Sequence, residues 1–597
     1  MESKSLAGLA VAGLLAASSA ALVAASGASG EAEPVAVYPA AGTPVASPQT
    51  QISFRGASPS ALGTVQVAGS KTGAHAGVLK AHSDGQGASF VPTKPFRPGE
   101  TVTVRAGMPL VGATGGAVKF SIARLPSPGK PPALLADPGG HPSGAQHFHS
   151  RPDLTPPSLR ILKSRSAAAS GDIFLGVKAG PGVDGTAIYD GSGRLVWFRR
   201  VPRHKSAFDF RVQQYDGRPM LTWWQGRAEF PGKGRGAGMI YDSSYRRIAV
   251  VRAGNGYVAD FHEFQLTPQG TAFVIAYRPV LWNLSAVHGS RRGVALDSVV
   301  QEIDIKTGLV MREWHSLGHV GVQDAAVKPF PGLPFDAFHV NSVEQESNGD
   351  WLISARDANA VYEVDPVSGK ILWTLGGTHS SFKMGHGAQF IGQHDVRRAP
   401  DGNITLFDNG TTGAKRGRPS RALELAVDMN AKTAHVVHAF VHRRPVVRAF
   451  SQGNTRTLPN GDLFVGWGGA TPYLTEFSTT GRVVFEARLD PSGDDSYRTF
   501  RIPWSGAVPA PPPAVAASSA HGKTTVYASW NGATDVASWQ VLAGSGANSL
   551  SPAGSARSAR FETAIRLATA QRFVQARALD ASGNVLGTSR VTKVNGG

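Results

Sequence analysis

The chain has 597 residues, more than one hydrophobic core organises, so several folded units are expected. Its 41% hydrophobic and 17% charged residues exclude a disordered chain, and 71 Gly and 40 Pro with few helical patterns favour an all-β architecture. A net charge of +18 admits anionic partners, but no Lys/Arg block or nucleic-acid motif accompanies it, so no nucleic acid is expected; the absence of cysteine excludes disulfides and thiolate metal sites.

Lys4 precedes an apolar run over residues 6–25, followed by Ser26 and Gly27. Residues 1–30 read as a secretory signal peptide. The run approaches bilayer-spanning length, but its Ala, Gly and Ser content favours cleavage over an anchor. No twin arginine precedes it, which points to the general secretory route, a secreted or surface-associated protein and no integral membrane domain after cleavage.

Residues 33–123 carry short alternating stretches at 51–54, 63–67 and 101–105, with a turn at Pro98-Gly99-Glu100. This spacing predicts an immunoglobulin-like β-sandwich. Residues 124–165 are rich in Pro, Gly and His and read as an extended linker, with His141, His147 and His149 solvated rather than metal-binding.

Residues 166–505 repeat. The turns Asp216-Gly217, Gln269-Gly270, Asn348-Gly349, Asp401-Gly402 and Asn460-Gly461 recur at intervals of 53 to 79 residues, each followed by a hydrophobic strand. Second turns fall near positions 193, 244, 308, 369, 430 and 481, each before another apolar strand. Two hairpins per unit make a four-stranded sheet that cannot bury both faces alone, so the repeat predicts a six-bladed β-propeller. Residues 279–293 are an insertion, and residues 315–334, rich in Gly and Pro, read as a loop over one end of the channel. After the spacer Pro509-Ala510-Pro511-Pro512-Pro513, residues 514–597 resemble a fibronectin-III-like β-sandwich, a module for spacing or weak attachment to a surface.

In such a repeat the first strand of each unit lines the axis and runs into the first turn, so its start lies at the opposite, open end. His262 and His394 each stand eight residues before a first-turn glycine, and His339 stands ten before Gly349. Asp209 and Asn454 hold the nearest equivalent positions in two other units. Period two puts Asn341 on the face of His339. Arg356, seven residues after Gly349, returns to the same mouth. Singly, a histidine at a strand start is an ordinary structural residue and Arg356 a partner for Asp357. Three histidines in register make His262, His339, Asn341, Arg356 and His394 the expected catalytic set. His288, His315, His319, His379, His386, His435, His438 and His442 lack this register and read as loop or surface residues, with His386 a weaker candidate for the mouth. Trp223, Trp224 and Trp467 either stack a phenolic ring or pack between blades.

The words Phe338-His339-Val340-Asn341-Ser342, Trp351-Leu352-Ile353-Ser354-Ala355-Arg356, Gly392-Gln393-His394-Asp395, Leu406-Phe407-Asp408-Asn409-Gly410, Ser451-Gln452-Gly453-Asn454 and Leu458-Pro459-Asn460-Gly461-Asp462 resemble the bacterial arylsulfotransferase family of propeller enzymes. The resemblance runs from about residue 151 to 504. It implies transfer of a sulfuryl group from an aryl sulfate to a phenol, without a nucleotide donor and without a cofactor. By motif, His394 is then the transient acceptor, and His262, His339, Asn341 and Arg356 assist. Some members carry a disulfide near the site, which this chain lacks. Two other readings compete: a histidine-bound metal supporting a hydrolase or lyase, which Arg356 would oppose by charge, and a non-catalytic propeller gripping anionic surface polymers.

Overall fold

Glycine turns punctuate the middle of the chain, and each joins two strands of one sheet. Gly349 and Gly402 hold φ of +94° and +88°, where a Cβ would be strained, so these turns need glycine. A computed structural model describes residues 33–127, 133, 145–178, 183–229, 231–412, 417–468, 471, 473–490 and 494–596. The apolar run at 6–25 lies outside the described residues, and no described helix is long and apolar enough to cross a membrane. The architecture is all-β with antiparallel sheets. Its described helices are single 3-10 turns at Ser285–Val287 and Val322–Asp324.

The sheets of the central region follow the turns. The second sheet runs Ser206–Tyr215, Arg218–Glu229, Lys233–Tyr241, Arg247–Val251, and the third runs Phe264–Leu266, Thr271–Trp282, Gly293–Asp304, Val310–His315. The fourth is Val340–Gln345, Trp351–Ala355, Ala360–Val364, Ile371–Gly376. The fifth begins with His394–Arg398 and Ile404–Asp408, and the sixth with Asn454–Thr457 and Leu463–Gly466. The first sheet is assembled from both ends of the region: Asp495–Ile502 pairs with Asp172–Lys178, which continues to Gly185–Tyr189 and Leu195–Arg200.

Ser158–Ser164 departs from the expected linker. It pairs with Val483–Asp490 as the outermost strand of the sixth sheet. Leu159 and Ile161 pack on that sheet while Arg160 stays exposed, so one apolar face suffices at an edge.

The flanking modules each have two sheets around one core. In the N-terminal module Val102 and Val104 of Thr101–Arg105 face inward onto Phe54 and Phe90 of the opposite sheet. In the C-terminal module Val526 and Ile565 meet Trp539 and Val574. Both modules cover open sheet edges, which would otherwise expose unpaired backbone. Gln51 Nε2 donates to Val310 O at 3.0 Å and Ser53 Oγ to Met311 O at 2.8 Å, capping the third sheet. Asn531 accepts from Phe198 N at 2.9 Å and donates to Phe198 O at 2.8 Å, capping the first.

The first strands of the central sheets meet in a buried ion network. Arg498 reaches Asp209 at 2.9 Å, Glu263 at 3.2 Å and Asp395 at 3.3 Å. Arg397 spans Glu263 at 2.5 Å and Asp395 at 3.0 Å, Arg211 binds Glu263 at 3.1 Å, and Arg456 binds Asp395 at 2.7 Å. Arg498 also donates to Asn341 O at 2.9 Å, so every central sheet contributes a partner. Burial opposes ionisation of Glu263, yet Arg397, Arg498 and Arg211 hold its carboxyl well below the usual range. Arg498→Met should destabilise the protein by about 3–5 kcal/mol because it strands buried carboxylates. Arg456→Met, which removes a half-buried partner of Asp395 alone, should cost less; equal urea midpoints for the two variants would refute this ranking.

His315 is not a surface residue. It is 1% exposed, with Nδ1 2.6 Å from Asp297 and Nε2 3.0 Å from Glu313; His442, also expected outside, is buried too. Burial alone would lower the His315 pKa, but Asp297 and Glu313 outweigh it and push it up to about 10. Since the folded value lies above the ordinary 6.5, the stability contributed by this imidazolium is full below pH 6.5 and is lost as pH rises through 10. Urea unfolding at pH 7 and pH 10.5 should show a larger loss for the native chain than for His315→Gln. Equal losses would count against the charged pair.

Candidate active site

Each expected site residue is placed by the start of a first strand or the end of a second. His262 precedes Phe264–Leu266, and its backbone N–H and Nδ1 both face Asp260 Oδ1, at 3.0 and 2.5 Å. Asp260 Oδ2 accepts from Gly234 N at 2.5 Å. His339, at φ +56°, precedes Val340–Gln345; its N–H donates to Asp336 Oδ1 at 3.0 Å. The two rings meet with their Nε2 atoms 3.3 Å apart. Asp336 Oδ2 lies 2.8 Å from His339 Nδ1, and Lys233 Nζ lies 2.6 Å from that oxygen and 2.8 Å from the same nitrogen.

His394 is 1% exposed and fully engaged. Asn409 donates both amide hydrogens, to Ala449 O and Gln452 O at 3.0 Å each, so its Oδ1 faces His394 Nδ1 at 2.7 Å. Nδ1 therefore carries the proton and Nε2 the lone pair, which accepts from Gln452 N–H at 3.1 Å. Gln452 itself sits at φ +65°.

Arg356 N donates to His339 O at 2.9 Å. Its guanidinium pairs with Asp357 and donates to Thr412 O at 3.2 Å and Phe450 O at 3.1 Å. Asn341 Nδ2 donates to Gln393 O at 2.6 Å, and its buried Oδ1 has no hydrogen-bond partner among the described residues. The expected sharing of a face by His339 and Asn341 does not apply, because a bulge between Val340 and Ser342 breaks the period of two. The equivalence drawn for Asp209 also shifts by one, because the stretch from Arg211 to Gly217 is one residue longer than that from Arg397 to Gly402 while the bulges before them are alike. Phe208 and His394 pair just before the irregularity, so Phe208 stands at the register of His394, and Asp209 at that of Asp395. Asn454 is consumed by Thr499, accepting its N–H at 2.9 Å and donating to its O at 2.8 Å.

Three contributing residues were outside the sequence-derived set. Asn409 follows the second strand of the fifth sheet as Arg356 follows that of the fourth, so the same count would have found it. Tyr497 enters on the strand Asp495–Ile502, with its ring 5.8 Å from His262 and 6.4 Å from His394. Lys233 begins an inner-sheet third strand that carried no sequence signal. Trp223, Trp224 and Trp467 are fully buried and pack in sheet cores.

Burial lowers the pKa of all three histidines. Lys233 adds to this at His339 and Arg356 at His394, while at His262 burial outweighs the opposing Asp260. Burial raises Asp357 to about 6, against the pull of Arg356. Asp336, His339 and Asp357 bring ligand atoms within 4.8 Å of one another. Lys233 and Arg356 already pair those carboxylates, so two fixed cations oppose a third. An open cavity of about 470 Å³, lined by Asp172, Asp190, Arg501 and Arg560 among others, lies elsewhere and includes none of these histidines.

The arrangement is a neutral, buried imidazole cluster flanked by one arginine, on an all-β frame of antiparallel sheets. The sequence model described as arylsulfotransferase (ASST) matches residues 211–490, which contain every residue of the expected set. The match supports membership of the arylsulfotransferase family for this region, and a function of that general type. No curated protein matches the chain. Among solved structures, a protein of unknown function from Bacteroides caccae is similar with TM-score 0.36 and 14% identity, covering 56% of this chain and 99% of its own. The periplasmic gluconolactonase PpgL of Pseudomonas aeruginosa gives 0.31 and 15%, covering 71% and 96%. A streptogramin B lyase gives 0.29 and 10%, covering 56% and 88%. At these scores none bears on fold or activity.

His394 should remain neutral at pH 6. Histidine-labelled protein, with His394→Asn to assign the resonance, should show no imidazolium signal for this ring at pH 6. Half-protonation at pH 6.5 would contradict the burial and charge argument.

Proposed function

We propose that the protein is an exported aryl-sulfate sulfotransferase, moving a sulfuryl group from an aryl sulfate to a phenol through His394. The observation that carries this reading is the tautomer of His394: Asn409 holds the proton on Nδ1, which leaves Nε2 as a neutral nucleophile. The family match supports the reaction type. The central sheets fit the blades of a six-bladed β-propeller, with the Asp495–Ile502 to Asp172–Lys178 pairing as its closure, between immunoglobulin-like and fibronectin-III-like sandwiches. Export rests on the apolar run at residues 6–25, and contact with a cell surface would fall to the flanking modules.

In this mechanism the aryl sulfate displaces Gln452 N–H from the lone pair of His394. Nε2 attacks sulfur in line with the departing aryl oxygen. Sulfuryl transfer, like phosphoryl transfer, is chiefly positioning and charge stabilisation, which Arg356 and the released Gln452 N–H supply. Asn341 spends one amide hydrogen on Gln393 O, which positions the His394 peptide, and its second amide hydrogen is the one that would hold a sulfuryl oxygen. A proton from the His262–His339 pair assists the leaving phenolate. An acceptor phenol then takes the sulfuryl group from Nε2 and the steps reverse.

Purified protein should release nitrophenol from p-nitrophenyl sulfate in a manner that depends on an added phenol. His394→Asn should abolish turnover, and Arg356→Met should lower kcat on the order of hundredfold. Acceptor-independent release, or normal turnover by His394→Asn, would refute transfer through this histidine.

A further inference from the structure

The paired histidines cannot both present the same kind of nitrogen across 3.3 Å; one Nε2 must donate and the other accept. Asp260 settles the first ring. Both its oxygens accept backbone N–H groups, Oδ1 from His262 and Oδ2 from Gly234, and Oδ1 lies 2.5 Å from His262 Nδ1, so Nδ1 donates the hydrogen and Nε2 is the acceptor. His339 Nε2 must then be the N–H. A neutral His339 with its proton on Nε2 has a bare Nδ1, and that nitrogen faces both Asp336 Oδ2 and Lys233 Nζ at 2.8 Å. Only the lysine can donate to it. Lys233 has a second hydrogen for Asp336 Oδ2 at 2.6 Å, and the Tyr277 ring lies 4.1 Å from Nζ on another side.

We infer that Lys233 is a positioning residue for the sulfuryl transfer proposed above: it fixes the His339 tautomer and supplies the proton that reaches the leaving group. The inference rests on that reaction for its catalytic meaning, but not for its geometry. The chain of donors runs Lys233 Nζ to His339 Nδ1, His339 Nε2 to His262 Nε2, and His262 Nδ1 to Asp260. When the sulfur–oxygen bond breaks, the departing phenolate oxygen takes the proton from His339 Nε2. His339 Nδ1 takes one from the Lys233 ammonium, which becomes an amine, and the ring stays neutral. In the second half-reaction the acceptor phenol gives its proton to His339 Nε2 as its oxygen bonds to sulfur and the sulfur–His394 bond breaks. Nδ1 returns its proton to Lys233, and the cycle closes with no proton gained or lost.

Several charged groups face this pair. Asp336 and Lys233 lie against His339, with Asp357 3.8 Å from its Nδ1. Asp260 lies against His262, and Lys233 and Arg498 act on it from further off. Tyr277 and Tyr497 flank the rings, but burial holds their protons on the hydroxyls, which donate to Val340 O and His262 O. The start of the Lys233–Tyr241 strand is tied to the pair through Gly234 N to Asp260 Oδ2, so the lysine is held in register with the histidines it serves.

Two measurements test the role. In the full-length protein with ¹⁵N-labelled histidine, assigned with His339→Gln and His262→Gln, His339 should show a pyrrole-type Nε2 and an acceptor-type Nδ1 at pH 7.5, and His262 the opposite. In Lys233→Met the His339 proton should move to Nδ1, toward Asp336. A native His339 already protonated on Nδ1 overturns the inference without any variant. In kinetics, Lys233→Met should lose about a hundredfold in kcat on phenyl sulfate, whose leaving group has a conjugate acid near pKa 10, with KM little changed. It should lose far less on p-nitrophenyl sulfate, whose anion departs unaided. Equal losses on both donors would also overturn the proton-supply role. If the native chain turns over neither donor while the tautomers are as stated, the sulfuryl-transfer reading and the lysine's catalytic part fail together, and only its hold on the histidine pair survives.

Discussion

Glu263 and Arg498 sit where the first strands of the central sheets converge, and the rest of the central region is arranged around them. Three arginines contact Glu263, and three carboxylates contact Arg498, with both side chains fully buried. Charges removed from water are tolerable only when their partners are fixed in place. Those partners come from strands far apart in the chain, so the network ties the first sheet to the second, third, fifth and sixth, and Asn341 O brings in the fourth. The pairing of Asp495–Ile502 with Asp172–Lys178 is part of the same constraint, since the first of these strands carries both Arg498 and Tyr497.

The histidines lie next to this network. Asp395 follows His394, Glu263 follows His262, and Asn341 lies two residues after His339. One neighbour of each histidine is thus anchored to buried ionic or polar groups, which limits how far the rings can shift. The bulges at Val340–Ser342 and His394–Arg397 turn the chain locally and allow the ring and the adjacent acid or amide to point to different partners. Preorganisation of this kind favours reactions whose barriers fall chiefly through positioning.

Saturation of hydrogen bonds separates the site from an ordinary buried histidine cluster. His315 is also buried, but two carboxylates hold it charged, and it has no nitrogen left for chemistry. His394 has an amide on one nitrogen and a single, strained peptide on the other. A backbone N–H on a neutral lone pair is an exchangeable partner, whereas a carboxylate pair is not. The family match covers the segment in which this difference arises.

The repeat of turns and strands was legible because glycine at positive φ and period-two burial are local properties, written into residues such as Gly349 and Gly402. Register counting pointed to His262, His339, His394, Asn341 and Arg356 for the same reason. It misjudged Asp209 by one residue, because the length from strand to turn glycine varies between units, and the face of Asn341, because a bulge adds a residue that no local pattern announces. Asn409 was available by the same count, but Lys233 and Tyr497 were not, since a side chain that reaches from one sheet to another leaves no periodic trace. The outer strand Ser158–Ser164 was likewise hidden by the proline-rich stretch before it. Sequence alone determined the all-β class, the family words and the histidine positions, all of which depend on residues near one another in the chain. Which nitrogen of each histidine carries a proton, and which lysine supplies it, was decided only by the tertiary structure, because a tautomer is set by the partner that arrives from elsewhere in the fold.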